Sequence, residues 1–205
     1  RKDNRLPTMD PSSPFDSFKV VRLTAPVFSV TEFERQAFAA KRLPFVEVDV
    51  EDPDEMIPLV ADADVVTLIG TKLPAKVIEA MPKCRLIARM GAGTDKIAVD
   101  RATELGIVVA NTPYFCVEEQ ADHAMAMLLS LARRLKVAER GMAAGDIAGV
   151  RTALGVNQRL SQTTLGLVGF GRSAVHMARR ARGFGMRVLA TRNRKNAPNT
   201  EAEKL

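Results

Sequence analysis

The chain has no tryptophan, a single tyrosine, two cysteines and two histidines. With so few aromatic rings there is little to stack on unpaired bases. The basic residues behind the net charge of +6 are scattered rather than gathered into a stripe or reader motif. A solvated surface with an anion-binding cleft accounts for that charge, and no nucleic-acid partner is expected. Cys84 and Cys116 show neither metal-ligand spacing nor a pairing pattern, so no metal is expected, and both thiols are expected to be buried and reduced in a cytoplasmic protein. No apolar run approaches the roughly 20 residues needed to span a bilayer, so no membrane partner is expected. The polar, proline-bearing stretch from Arg1 to Asp16 has no hydrophobic signal core. Arg1 is not a start methionine; either residues were removed before it or the sequence is a piece of something longer, with Met9 as an internal start.

What remains is ordinary globular composition, 46% apolar and 26% charged. From Phe18 onward, short β-like runs alternate with helical ones. Lys19 to Leu23 reads as a strand, and Thr31 as the N-cap of a helix reaching Lys41. Val46, Val48 and Val50 alternate with Glu47 and Asp49, the pattern of a strand with one face in solvent. A helix near Asp54, a strand over Val65 to Ile69, and a helix from Pro74 to Ala80 follow. Then come a strand over Leu86 to Ala88, a helix from Val99 to Leu105 and a strand from Ile107 to Ala110. This order predicts an α/β domain with a doubly wound parallel sheet, flavodoxin-like, over 18–112. Residues 1–17 are expected to be a tail, and 113–205 an incomplete dinucleotide-binding domain holding the first βαβ unit of a Rossmann fold.

After Asn111-Thr112-Pro113 the spacing of Ala121, Ala124, Met125, Leu128, Leu129, Ala132 and Leu135 predicts one long helix from Cys116 to about Ala144. Glu118 and Glu119 at its start and Arg133, Arg134, Lys136 and Arg140 toward its end match the helix dipole. The stretch from Gly145 to Gln162 reads as a connecting loop.

Leu165 to Val168 reads as a buried strand, running into Gly169-Phe170-Gly171-Arg172-Ser173-Ala174 and then a helix from Val175 to Phe184 that Gly185 closes. A glycine-rich turn between strand and helix has a specific use. Gly169 permits the tight turn, Gly171 lets the backbone approach a pyrophosphate, and Ala174 is small enough where helix meets strand. Amides at the helix start would hold the phosphates, and Arg172 is either a phosphate partner or a surface residue. About 20 residues on, where an NAD site carries an acid, the chain has Arg192, flanked by Arg194 and Lys195. A guanidinium attracts a 2′-phosphate, which favours NADP over NAD; an exposed basic loop is the alternative.

Three stretches together resemble the D-isomer-specific 2-hydroxyacid dehydrogenase family. They are Leu86 to Ile97, Gly106 to Pro113 with the following Glu118-Glu119-Gln120-Ala121-Asp122-His123, and Thr164 to Arg172 continuing to Phe184-Gly185-Met186. Tyr114, Cys116 and Ala174 are similar to the branch of phosphoglycerate dehydrogenases and C-terminal binding proteins. The resemblance implies a parent enzyme that moves hydride between NAD or NADP and a D-2-hydroxy or 2-keto acid. It implies that Gly91, Ala92 and Gly93, helped by Gly70 and Thr71, bind the substrate carboxylate. Thr94, Gly169, Phe170, Gly171, Arg172, Ser173 and Arg192 would contact the cofactor. The long helix would join a homodimer. The family's catalytic Arg, Glu and His lie downstream of Leu205; His123 and His176 are expected to be structural, and the 205-residue chain alone is expected to be inactive and poorly stable. A non-enzymatic nucleotide-binding scaffold, similar to the co-repressor branch, and an inactive truncated fragment are the alternatives.

Overall fold

The computed structural model describes residues 18–155 and 157–191, which gather into two compact units dividing between Phe115 and Cys116. The expected tail, 1–17, lies outside the described residues.

The first unit is a five-stranded parallel sheet of order β2-β1-β3-β4-β5, the flavodoxin-like arrangement. Its strands are β1 (Val20–Leu23), β2 (Phe45–Val48), β3 (Val65–Leu68), β4 (Leu86–Arg89) and β5 (Val108–Asn111). The connecting helices are α1 (Glu32–Ala40), α2 (Pro53–Val60), α3 (Ala75–Glu79) and α4 (Val99–Glu104). The crossover from β1 to β2 runs one way along the sheet and the later ones run the other. Right-handed crossovers therefore put α1 on one face and α2, α3 and α4 on the opposite face. The main core lies on that second face, where Val21, Leu23, Val66, Leu68 and Ile87 meet Met56, Val60, Val77 and Ile78. Thr31 caps α1 in a reciprocal capping box with Glu34, and Asp52 caps α2. β2 departs from the simple alternation: Val48 is buried but Val46 is exposed, because β2 is an edge strand.

Arg22, at the centre of β1, is fully buried. Its Nε donates to Glu34 Oε1 on α1 at 2.9 Å and its Nη1 to the Leu23 carbonyl, while Nη2 has no partner among the described residues. Burial alone would push the Glu34 carboxyl up. The hydrogen bond from Arg22, the Thr31 amide and the Arg22 charge outweigh it and hold the group below its ordinary value.

The second unit comprises α5 (Val117–Ala132), α6 (Leu135–Ala143), α7 (Ile147–Leu154), a 3-10 turn, β6 (Thr164–Val168), α8 (Arg172–Gly183) and β7 (Arg187–Thr191). β6 and β7 pair in parallel around α8. Their Leu165, Leu167 and Val188 side chains pack with Ala121 and Met125 of α5 and Met177 and Ala181 of α8. Three expectations are corrected here. The single helix over 116–144 is two helices, broken where Arg134 takes a left-handed conformation (φ 52°, ψ 39°). Beyond the break α6 packs on α7, with Gly141 so close to Val150 that a Cβ would stand 2.3 Å from its Cγ2. The expected loop from 145 to 162 holds α7, capped by Asp146, whose carboxylate accepts from the Gly149 amide at 2.8 Å. Finally, among the described residues β6 is covered on one face only. Leu165 and Leu167 are half-buried while Val168 is 99% exposed, because α5 and α8 pack on the same side of the two-stranded sheet.

Candidate functional site

In the first unit the candidates sit at the carboxyl ends of the parallel strands, where open α/β sheets bind their ligands. Gly70 and Thr71 follow β3, and Gly91, Ala92, Gly93 and Thr94 follow β4. Thr71 is buried and its hydroxyl donates to the Thr24 carbonyl at the end of β1 at 2.9 Å. The Thr71 side chain is thus a strut between the two strands that flank the reversal of strand order. The two loops are laced together. Leu73 N donates to Lys96 O at 2.8 Å, Ala98 N to Leu73 O at 3.0 Å, and Lys96 Nζ to Gly70 O at 2.7 Å.

The Gly91 amide donates to the Arg89 carbonyl at 2.9 Å and so is already committed. Gly91 serves by lacking a side chain: a Cβ there would lie 2.4 Å from Arg89 Nη1. Among the described residues, no acceptor meets the amides of Ala92, Gly93 and Thr94. Three successive N–H groups of this kind make a concavity for an anion. Arg89 and Lys96 add positive charge. Asp95 opposes it, with Oδ1 2.7 Å from the place a Gly93 Cβ would take. Of the residues expected at the carboxylate, Ala92 and Gly93 have amides without an acceptor among the described residues, and so does Thr94, whereas the Gly91 amide has one.

In the second unit the glycine-rich turn stands between β6 and α8. Gly169 has φ +94°, a conformation closed to most L-residues. Gly171, the N-cap of α8, has φ −91° and ψ −167°, ordinary extended backbone, with no described residue within 4 Å of the position a Cβ would take. The first helical bond runs from Val175 N to Gly171 O, so the amides before it have no partner inside the helix. Arg172 is exposed and Phe170 half-buried at this turn. The Ser173 hydroxyl donates to Gln120 Oε1 at 2.6 Å, which turns its proton toward α5. His176 Nδ1 faces Glu118 at 3.8 Å, and Arg180 Nε pairs with Asp122 at 2.5 Å, extending this polar seam between α5 and α8. His123 is exposed on α5. Arg192, with Arg194 and Lys195, lies outside the described residues.

Sequence reasoning did not single out Arg89, Lys96, Asn111 or Gln120. All four donate or accept in the loop and turn just described, and what reveals them is strand register and helix packing. Cys84 is buried and its thiol is pushed up by desolvation, whereas Cys116 is only half-buried at the start of α5, against the expectation that both are buried. Among the described residues, no group of His, Cys, Asp or Glu could hold a metal, and no helix is long and apolar enough to cross a membrane.

Known proteins resemble this chain in sequence and in fold. The family model for the D-isomer specific 2-hydroxyacid dehydrogenase catalytic domain matches residues 25–201. A glyoxylate reductase of Thermococcus kodakarensis is 39% identical over 171 residues, 77% of this chain and 50% of the relative. A hydroxypyruvate reductase of Thermotoga maritima is 36% identical over 140 residues, 68% of this chain and 45% of the relative. The chain thus spans about half the length of the curated relatives it matches. Among solved structures, the D-lactate dehydrogenase of Aquifex aeolicus, complexed with NAD and lactic acid, aligns over 90% of this chain and 54% of its own, with TM-score 0.73 and 25% identity. With this sheet order, this glycine turn and these relatives, the chain belongs to the D-isomer-specific 2-hydroxyacid dehydrogenase family.

Proposed function

We propose that the chain supplies two binding elements of a nucleotide-dependent dehydrogenase that interconverts a small 2-keto acid and its D-2-hydroxy acid. Bound NAD or NADP supplies or accepts the hydride at its nicotinamide ring. The chain's own residues bind and orient. The backbone from Gly169 to Ser173, at the positive end of α8, holds the paired phosphates, with Arg172 as an added cation. The amides of Ala92, Gly93 and Thr94 hold the substrate carboxylate, and the Gly70-Thr71 backbone borders them. Neither histidine is assigned proton transfer, because His123 is exposed and His176 faces Glu118 within a helix seam.

The observation that carries this reading is Gly171. Its backbone conformation admits any residue and its surroundings would admit a side chain, so the fold itself does not require glycine there. Close approach of a phosphate does. Arg192 favours NADP on sequence grounds, and the reductases among the relatives favour a short 2-keto acid such as glyoxylate or hydroxypyruvate. A homodimer through residues 116–144 is supported by exposed Met127, Leu131, Leu135, Val137 and Met142.

The test is to titrate NADH and NADPH into the 15N-labelled chain. Saturable shifts centred on the amides from Gly169 to Ala174 are expected, and unmoved resonances there would overturn the proposal.

A further inference from the structure

We infer that Asn111 is a positioning residue for the substrate carboxylate, acting through the Ala92 carbonyl to aim the Gly93 amide. The inference rests on reading the loop after β4 as the carboxylate site, and it deepens that reading.

Strand register sets Arg89 opposite Asn111 at the carboxyl ends of β4 and β5. From there the two residues and their neighbour reach the four successive carbonyls from Met90 to Gly93. Met90 O accepts from Arg89 Nη1 at 2.8 Å and Gly91 O from the Thr112 amide at 3.1 Å. Ala92 O accepts from Asn111 Nδ2 at 2.7 Å and Gly93 O from Arg89 Nε at 3.2 Å. A trans peptide is planar, so the carbonyl of one residue and the amide of the next point in opposite directions. Holding the carbonyls of Gly91, Ala92 and Gly93 therefore turns the amides of Ala92, Gly93 and Thr94 the other way, and these are the three without an acceptor. Each donor sets one amide: Thr112 that of Ala92, Asn111 that of Gly93, and Arg89 that of Thr94. Asn111 is the informative member because it is neutral. Its removal takes away orientation without taking away charge, whereas a change at Arg89 alters both.

The experiment uses oxalate, a two-carbon dicarboxylate, titrated into the 15N-labelled chain while the amides of Ala92, Gly93 and Thr94 are followed. Wild type is expected to show saturable shifts at all three. Asn111→Leu, close in size but without a donor, is expected to weaken oxalate binding about threefold to tenfold, the worth of one neutral hydrogen bond. The lost shift should be largest at Gly93, with exchange protection along β4 and β5 unchanged. Asn111→Gln, which keeps the amide donor, is expected to recover most of the affinity. If both variants bind oxalate as wild type does, the inference fails and the carboxylate reading of the loop stands. Loosening spread along β4 and β5 in both variants would equally overturn it, since Asn111 would then support the sheet and not the ligand. If wild type shows no shift at Ala92, Gly93 and Thr94, the carboxylate reading falls and takes the inference with it.

Discussion

Replacing Gly171 by alanine should abolish tight dinucleotide binding while leaving the fold nearly intact. At φ −91° and ψ −167°, with open space where the new methyl would sit, alanine meets no strain. Alanine is a poorer N-cap than glycine, by about 0.5–1 kcal/mol, but it also lowers the entropy of the unfolded chain by a comparable ~0.4–1 kcal/mol. The two nearly cancel, so the midpoint of thermal unfolding should move by no more than about 3 °C. Binding responds differently. A methyl at this corner keeps a pyrophosphate from the helix-start amides, and losing two charge-assisted bonds at ~1.5 kcal/mol each costs about 3 kcal/mol, roughly a hundredfold in Kd. Calorimetric titration of NADH and NADPH into both proteins, beside their melting curves, measures the two effects separately. Gly169→Ala is the contrast: at φ +94° it should lose about 1–3 kcal/mol of stability as well as binding. Unchanged coenzyme affinity in Gly171→Ala would refute the reasoning, and so would a melting point lowered as far as that of Gly169→Ala.

Because the folded Glu34 carboxyl is depressed below its ordinary value of 4.5, its share of stability is full above that pH and is lost as pH falls through the lower folded value. Glu34→Gln, which keeps the cap geometry, should flatten that acid limb in urea melts; an unchanged acid limb would contradict the pairing with buried Arg22. Arg134→Gly relieves a left-handed residue and should raise stability by about 1 kcal/mol, a gain of roughly 2–4 °C by calorimetry. Arg192→Ala should weaken NADPH while sparing NADH in paired titrations, and equal loss of both would remove the argument for NADP.

The sheet was legible because its strands are short apolar runs set between helices, and Thr31, the acidic residues near Asp54 and Pro74 mark helix starts by chemistry that acts within a few residues. The glycine turn was legible for the same local reason. Nothing local announces the break at Arg134: neither glycine nor proline stands there, and beyond it α6 packs on α7 through Gly141 and Val150, a contact that periodicity does not state. The buried charge of Arg22 depends on Glu34, brought to it by the crossover through α1. Donors such as Asn111 acquire their meaning only from the register of β5 on β4. The exposure of Val168 depends on which helices share a face, which periodicity alone does not state.

The pairing of Leu73 with Ile97, a parallel bridge standing outside the sheet, makes one rim of what would otherwise be two independent fingers. The loop that holds Gly70 and Thr71 and the loop that holds Gly93 and Thr94 are thereby joined, by this bridge and by the hydrogen bonds of Lys96 and Ala98. At the carboxylate site proposed above, a small acid would meet a rim already ordered by folding, so little of its contact energy would go to stiffening it. Substitutions at Leu73 or Ile97 should accordingly be felt by a ligand that touches neither.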